Sequence, residues 1–223
     1  MSKPKALISW SSGKDSAFSL HEVRRAGDYD VVGALTTVTE TFERVSIHGV
    51  RRDILRAQCE AAGLPQIIVP IPYPCPNDVY EARMGEAIAC ALRDGITHMI
   101  FGDLFLRDIR AYREQKLAGT GITPVFPLWD RPTRPLARAM IDSGLEAYLA
   151  TVDLNKLPAE FAGRRFDAQL LADLPESVDA CGENGEFHTC VVAGPIFAHR
   201  LAVTTGERVT RDGYAYCDLV LSK

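Results

Sequence analysis

The chain has 223 residues with no basic excess, no long apolar run and no paired cysteines, and each absence removes a class of function. Lys and Arg total 25 against 29 Asp and Glu, for a net charge of −4 and a pI of about 5.8. Phosphate-backbone binding usually needs the opposite balance, so free nucleic acid is not an expected partner. No uncharged apolar run reaches the roughly 18 residues of a membrane span. Residues 1–5 lead straight into a strand-like run rather than a signal peptide. Cys59, Cys75, Cys90, Cys181, Cys190 and Cys217 form no CxxC pair and no Cys/His cluster with zinc spacing. They are expected as free thiols in a reducing cytosol, which makes the protein cytoplasmic. There is no internal repeat and no low-complexity segment. The nearest approach to the G-x-x-x-x-G-K-[ST] loop has Ile8 at its first glycine and Asp15 at its final hydroxyl position. Cleavage at the γ-phosphate by that machinery is therefore disfavoured.

What is present is a composition suited to a packed core, with 47% apolar and 24% charged residues. The length fits one large or two small domains of roughly 100–150 residues each. Strand-like runs at 6–10, 30–38, 66–71, 97–101 and 123–126 alternate with helical patterns at 15–26, 51–62, about 77–93 and 109–118. Gly27 and Gly63 stop the first two helices, and Asn77 or Asp78 is a candidate cap for the third. This rhythm predicts an α/β fold, a doubly wound parallel sheet with helices on both faces. Ligands in such sheets bind beyond the carboxyl ends of the strands, which here means 11–16, 36–39, 70–76 and 102–106. After Trp129 the rhythm changes. Pro132 and Pro135 interrupt the chain. Helices are expected at 136–143 and 166–174, and strands at 147–152, 190–192, 199–205 and 215–221. The expected division is a nucleotide-binding domain at 1–130 and a smaller α+β substrate domain at 131–223.

The sharpest feature is Ser11-Ser12-Gly13-Lys14-Asp15-Ser16, between the first strand and the first helix. A helix N-terminus presents unpaired N–H groups and partial positive charge. Gly13 lets the backbone approach a phosphate, the serines add hydroxyls, and Lys14 adds a mobile positive charge. Asp15 would repel phosphates unless a cation such as Mg²⁺ intervenes. The plainer reading is a helix capped by Ser12 with Asp15 at its third position.

The string resembles the SGGKDS motif of PP-loop ATP pyrophosphatases, with Ser12 in place of the first glycine. The resemblance implies that ATP is bound with its pyrophosphate on this loop while a substrate group attacks the α-phosphorus. Trp10 and Thr36 join the expected nucleotide set, Trp10 as a core residue with an exposed edge.

Gly102-Asp103, at the end of the fourth predicted strand, is the second candidate. The glycine permits close approach and the aspartate faces the ligand edge; the plainer alternative is a capped turn. Arg110 and Glu114 lie four apart on a helix, which by itself predicts only an ion pair. A third candidate is CGENGEFHT at 181–189, where Glu183 and Glu186 lie three apart in a tight turn. Gly182 and Gly185 permit unusual backbone angles and Asn184 tolerates them. Such a turn can aim both carboxylates at one point, to hold ammonium, accept its proton or bind Mg²⁺; a polar surface hairpin is the alternative. His48, ahead of Gly49 and a helix, is a candidate substrate or nucleotide contact, with a capping or core role as its alternative. The Pro72–Pro76 cluster reads as a rigid loop lining the cleft.

Together these segments resemble the diphthine–ammonia ligase family, a PP-loop branch. FGDLFLRDIRAYREQ followed by FPLW is similar to one of its stretches, with Arg110 and Glu114 at that family's arginine and glutamate. The 181–189 segment followed by Gly194-Pro195 is similar to its EGGE-containing motif. Asn184 replaces a glycine there, and His188 stands where glutamate is frequent. The resemblance runs from Ser11 to Pro195. It implies an ATP-dependent ligase: a carboxylate attacks the α-phosphorus, and Lys14 and Mg²⁺, held by Asp15, stabilise the leaving pyrophosphate. Ammonia, oriented by Glu183 and Glu186, then displaces AMP. His48, Arg110, Glu114, Asn184, Gly185 and His188 form the implied substrate set. The acceptor is either a small carboxylate or a diphthine-like protein side chain, and homo-oligomerisation is left open. Two other readings stand beside this one: a sulfur-transferring tRNA-modifying enzyme, and a nucleotide sensor without turnover.

Overall fold

The computed structural model describes residues 2–46 and 48–222. Met1, included in the expected N-terminal run, lies outside them. Strand β1 (Lys5–Ser9) leads into helix α1 (Lys14–Ala26), which Gly27 ends in the left-handed conformation. Next come β2 (Asp30–Thr39), the two-residue β3 (Arg44–Val45), α2 (Arg52–Ala62), β4 (Gln66–Ile71), α3 (Asn77–Arg93), β5 (Ile96–Ile100), α4 (Arg107–Leu117) and β6 (Thr123–Val125). Five of these strands run parallel in the order β4-β2-β1-β5-β6. The short β3 pairs antiparallel with Val38 and Thr39, past the point where β1 ends.

The chain winds outward from β1 in both directions, so helices cover both faces. Alternation along the strands assigns the faces. Ala6, Ile8, Ala34, Val38 and Ile100 join the core with α1 and α2. Leu7, Leu35, Met99 and Phe101 join the core under α3 and α4. The winding reverses between β1 and β5, where an open α/β sheet forms its ligand crevice. Helix α3 packs on the Leu7 face of the sheet through Tyr80, Met84, Ala87, Ile88 and Leu92, all partly buried, and through Ala91, its one buried residue. An apolar groove of about 390 Å³ runs between it and α4, lined in part by Met84, Ile88 and Leu117.

The second half contributes α5 (Thr133–Asp142), β7 (Glu146–Asp153), a 3₁₀ turn (Ala159–Phe161), α6 (Ala168–Asp173), β8 (Phe187–Ala193), β9 (Val203–Arg211) and β10 (Tyr214–Leu221). Their sheet is antiparallel in the order β8-β7-β10-β9. Leu149, Val191 and Ala215 from this sheet belong to the same core as Ile8, Leu20 and Leu55.

Several local expectations need correction. Pro132 and Pro135 do not interrupt the chain; Pro132 precedes α5 and Pro135 sits in its first turn, where the missing N–H costs nothing. Pro76, not Asn77 or Asp78, precedes α3. Strand β9 begins at Val203 rather than 199 and runs to Arg211, closed by Asp212 and Gly213, both at positive φ. That turn suits a tight hairpin. β8 begins three residues earlier than expected, at Phe187.

Candidate functional site

The loop 11–16 lies at the carboxyl end of β1, at the reversal of winding. Gly13 is the cap residue of α1 and no side chain caps from within the loop, so Ser12 is not the helix cap. Instead Ser12 adopts φ 73, the left-handed region where a side chain costs energy and glycine does not. Cover comes from the second sheet. Thr189 Oγ1 on β8 accepts from Lys14 N at 3.0 Å, and Val191 N donates to Ser12 O at 3.0 Å. Gly102 packs against the first turn of α1: a Cβ there would lie 2.9 Å from Ser16 N. Ser16 Oγ bonds back to Gly13 O, and Ser11 Oγ lies 3.2 Å from Ser16 Oγ.

Lys14 is not a mobile charge. It is 2% exposed. Its Nζ donates to Asp15 Oδ2 at 2.8 Å and to the Cys181 carbonyl, and lies about 5.5 Å from the ring centres of Phe166 and Phe187. Burial works against its charge, but the Asp15 carboxylate beside it holds the ammonium pKa above the ordinary value. Asp15 Oδ1 is buried with no hydrogen-bond partner among the described residues. Among the described residues no group of three His, Cys, Asp or Glu is arranged to hold a metal. The orphaned Asp15 oxygen still fits Mg²⁺, which usually binds one or two carboxylates plus substrate phosphates.

The two glutamates of the 182–185 turn do not aim at one point. Glu183 crosses to the first sheet, where Oε1 accepts from Leu104 N at 2.7 Å. Burial, opposed by that bond and aided by Asp15, pushes its pKa up to about 7. Glu186 is buried and turns back, accepting from Asp179 N at 3.0 Å and Asn184 Nδ2 at 3.1 Å, with Oε2 unpaired among the described residues. Gly182 and Gly185 take the positive φ; Asn184 does not. The carbonyl of Asn184 accepts from Lys156 instead.

The imidazoles of His48 and His188 lie 4.6 Å apart, and His48 Cε1 stands 3.0 Å from where a Gly13 Cβ would be. Enclosure, with the Lys14 charge nearby, lowers the His188 pKa to about 4, and enclosure together with His188 holds His48 well below its ordinary value. The chain thus gathers Ser11–Ser16, His48, Gly102, Glu183 and His188. Other candidates have partners of their own. Trp10 has no exposed edge; it is 2% exposed and donates to Gln58. Thr36 is buried and donates to the Trp10 carbonyl. Asp103 does not face open space but takes two bonds from Arg113, at 2.6 and 3.0 Å. Arg110 pairs with Glu114 at 2.7 Å and stacks on Phe126 and Trp129. The apolar groove under α3 lies on the sheet face away from α1.

Three residues escaped the sequence reading. Thr189 caps α1 from 175 positions away. Asp179 organises the glutamate turn by accepting from Cys181 N and Glu183 N. Gln58 on α2, fully buried, bonds Trp10, Ser12 and Val191. Thr189 and Gln58 act across long sequence separations and carry no local pattern. Asp179 did offer one: a short polar residue just ahead of two glycines.

Residues 132–222 match the family model of the diphthamide synthase C-terminal domain. The diphthine–ammonia ligases of rat and human are each 30% identical to the chain over 100 residues, covering 43% of this chain and 38% of theirs. That of fission yeast is 31% identical over 107 residues, covering 44% of this chain and 17% of its own. The matched part therefore spans less than two-fifths of these relatives. The chain is thus similar to the diphthine–ammonia ligases over less than half of its length, and its second half is similar to the diphthamide synthase C-terminal domain.

Proposed function

We propose that the chain is an ATP-dependent amide-forming ligase that adenylates a carboxylate, releases pyrophosphate and amidates the product with ammonia. Residues 1–130 would bind the nucleotide and 131–223 the acceptor. The observation carrying this reading is the loop 11–16, where a helix N-terminus, a glycine and a charged lysine meet at the sheet's reversal point.

Pyrophosphate rests at the N-terminus of α1, with Ser11, Gly13 and Ser16 around it, Ser12 shaping the turn from behind and Gly102 allowing close packing. Trp10, Thr36 and Asp103 shape this pocket through their bonded partners. Lys14 stabilises charge on the departing pyrophosphate. Asp15 Oδ1 would hold Mg²⁺, which supplies further charge neutralisation there. The acceptor carboxylate oxygen bonds to the α-phosphorus as the α–β bridge breaks. Glu183, with a pKa of about 7, takes a proton from ammonium, and the ammonia formed bonds to the acyl carbon as AMP leaves. Glu186 shapes the turn that carries Glu183. His48, His188, Asn184 and Gly185 line the acceptor side. Arg110 and Glu114, partly exposed on α4, suit a diphthine-like side chain on a protein. The six free thiols suit a reducing cytoplasm.

The test is incubation with labelled ATP, Mg²⁺, ammonium and candidate carboxylates, both small molecules and diphthine-bearing protein. Ammonium-dependent AMP and pyrophosphate are expected. ADP and phosphate would refute the reading, and tight ATP binding without turnover on every acceptor would favour a sensor.

A further inference from the structure

The side chain of Gln58 is fully buried, and its amide uses both of its ends. Oε1 accepts from Ser12 Oγ at 2.7 Å and from Trp10 Nε1 at 3.1 Å. Nε2 donates to Ser12 O at 3.1 Å and to Val191 O at 2.7 Å. One amide thus ties together the end of β1, the loop and β8. The residue gripped twice is Ser12, which holds a left-handed backbone with a buried side chain. Such strain persists only where the surroundings over-determine it. The Cβ makes Ser12 costlier than glycine in that conformation, and the hydroxyl carried on that Cβ is what Gln58 holds.

We infer that Gln58 is a positioning residue for the phosphate loop: it locks Ser12 in the left-handed conformation, and thereby fixes the start of α1, where Gly13 N meets Ser11 Oγ and Lys14 N meets Thr189 Oγ1. The inference rests on the loop's reading as a phosphate site. The lock also closes only when β8 is seated, because the Val191 carbonyl accepts from the Gln58 amide. Loop geometry and docking of the second sheet are therefore coupled through one side chain.

A double-mutant cycle tests this. Gln58→Leu keeps the volume of the side chain and removes the amide; Ser12→Gly removes the need for the lock. Two quantities are measured on wild type, both single variants and the double: the affinity for a non-hydrolysable ATP analogue by calorimetry, and the hydrogen exchange of the Gly13 and Lys14 amides and the Trp10 indole N–H in the free protein. Gln58→Leu is expected to weaken binding at least about tenfold and speed exchange at all three groups. The loss should be at least about fivefold smaller when residue 12 is glycine, since that backbone needs no anchor. Gln58→Glu supplies a second handle if the leucine variant does not fold. Ionised, the introduced carboxylate faces the Ser12 and Val191 carbonyls; protonated, it donates to one of them. Its affinity relative to wild type should recover as pH falls. Additive effects across the cycle, unchanged exchange at Gly13 and Lys14, or a pH-independent defect in Gln58→Glu would each overturn the inference. Should wild type bind no ATP analogue, the ligase reading fails, while the exchange measurements still decide the role of Gln58.

Discussion

Ser12 shows how residue chemistry and position diverge at this site. From sequence it is a helix cap or a phosphate-binding hydroxyl; in the fold its oxygen is spent on Gln58 and its backbone makes the turn. Lys14 was legible as the loop's cation, but its enclosure by Phe166, Phe187 and the Cys181 carbonyl was not, because those partners lie more than 150 positions away. Glu183 carries the clearest prediction at this scale. Its folded pKa of about 7 exceeds the ordinary 4.5, so between those values the folded chain binds more protons than the unfolded one. The contribution of Glu183 to stability must then fall as pH rises through that window. Glu183→Gln keeps an acceptor for Leu104 N and removes the charge. It is expected to raise Tm at pH 8 by about 2–4 °C, a shift that corresponds to about 1 kcal/mol in a chain of this size, with a smaller gain at pH 5. Thermal unfolding by circular dichroism at both pH values checks this; an equal shift at both would show that the charge is not the cause.

At the scale of elements, the alternating first half was readable almost throughout, because buried parallel strands and glycine-stopped helices leave strong local patterns. The second half was less so. β9 is exposed along nearly its whole length and shows no apolar alternation, so its true course was hidden, although Asp212-Gly213 marked its turn. The start of α1 was legible, but its cap was not, since Thr189 comes from β8. That cap predicts an effect separate from chemistry. Thr189→Val preserves shape and removes the acceptor for Lys14 N, and a lost cap costs about 0.5–2 kcal/mol. Urea denaturation should show a lower midpoint with an unchanged slope. A change in slope instead would mean that the substitution alters how much surface unfolds.

The molecule as a whole has two sheets but shares apolar residues between them, since Ile8 and Leu20 of the first half and Leu149 and Val191 of the second lie in one cluster. That continuity was invisible in a sequence whose rhythm breaks near residue 130, and it bears on unfolding. Separate cores would allow the halves to melt independently; a shared one predicts a single calorimetric transition with equal calorimetric and van't Hoff enthalpies. The joint carries His48 and His188, and their titration should act on that one transition. His188, with a folded pKa of about 4 and an ordinary value of 6.5, stays neutral in the fold while the unfolded chain takes up a proton. Its contribution is complete above pH 6.5 and is lost progressively as pH falls toward 4, and His48 shifts in the same direction. Glu183 acts in the opposite sense between about pH 7 and 4.5, so the histidine part is read against the variant: His188→Gln should gain on wild type as pH falls through this window, with a single transition throughout. A second transition on acidification would mean that the sheets part at the joint before either unfolds, and the shared core would then be too weak to couple them.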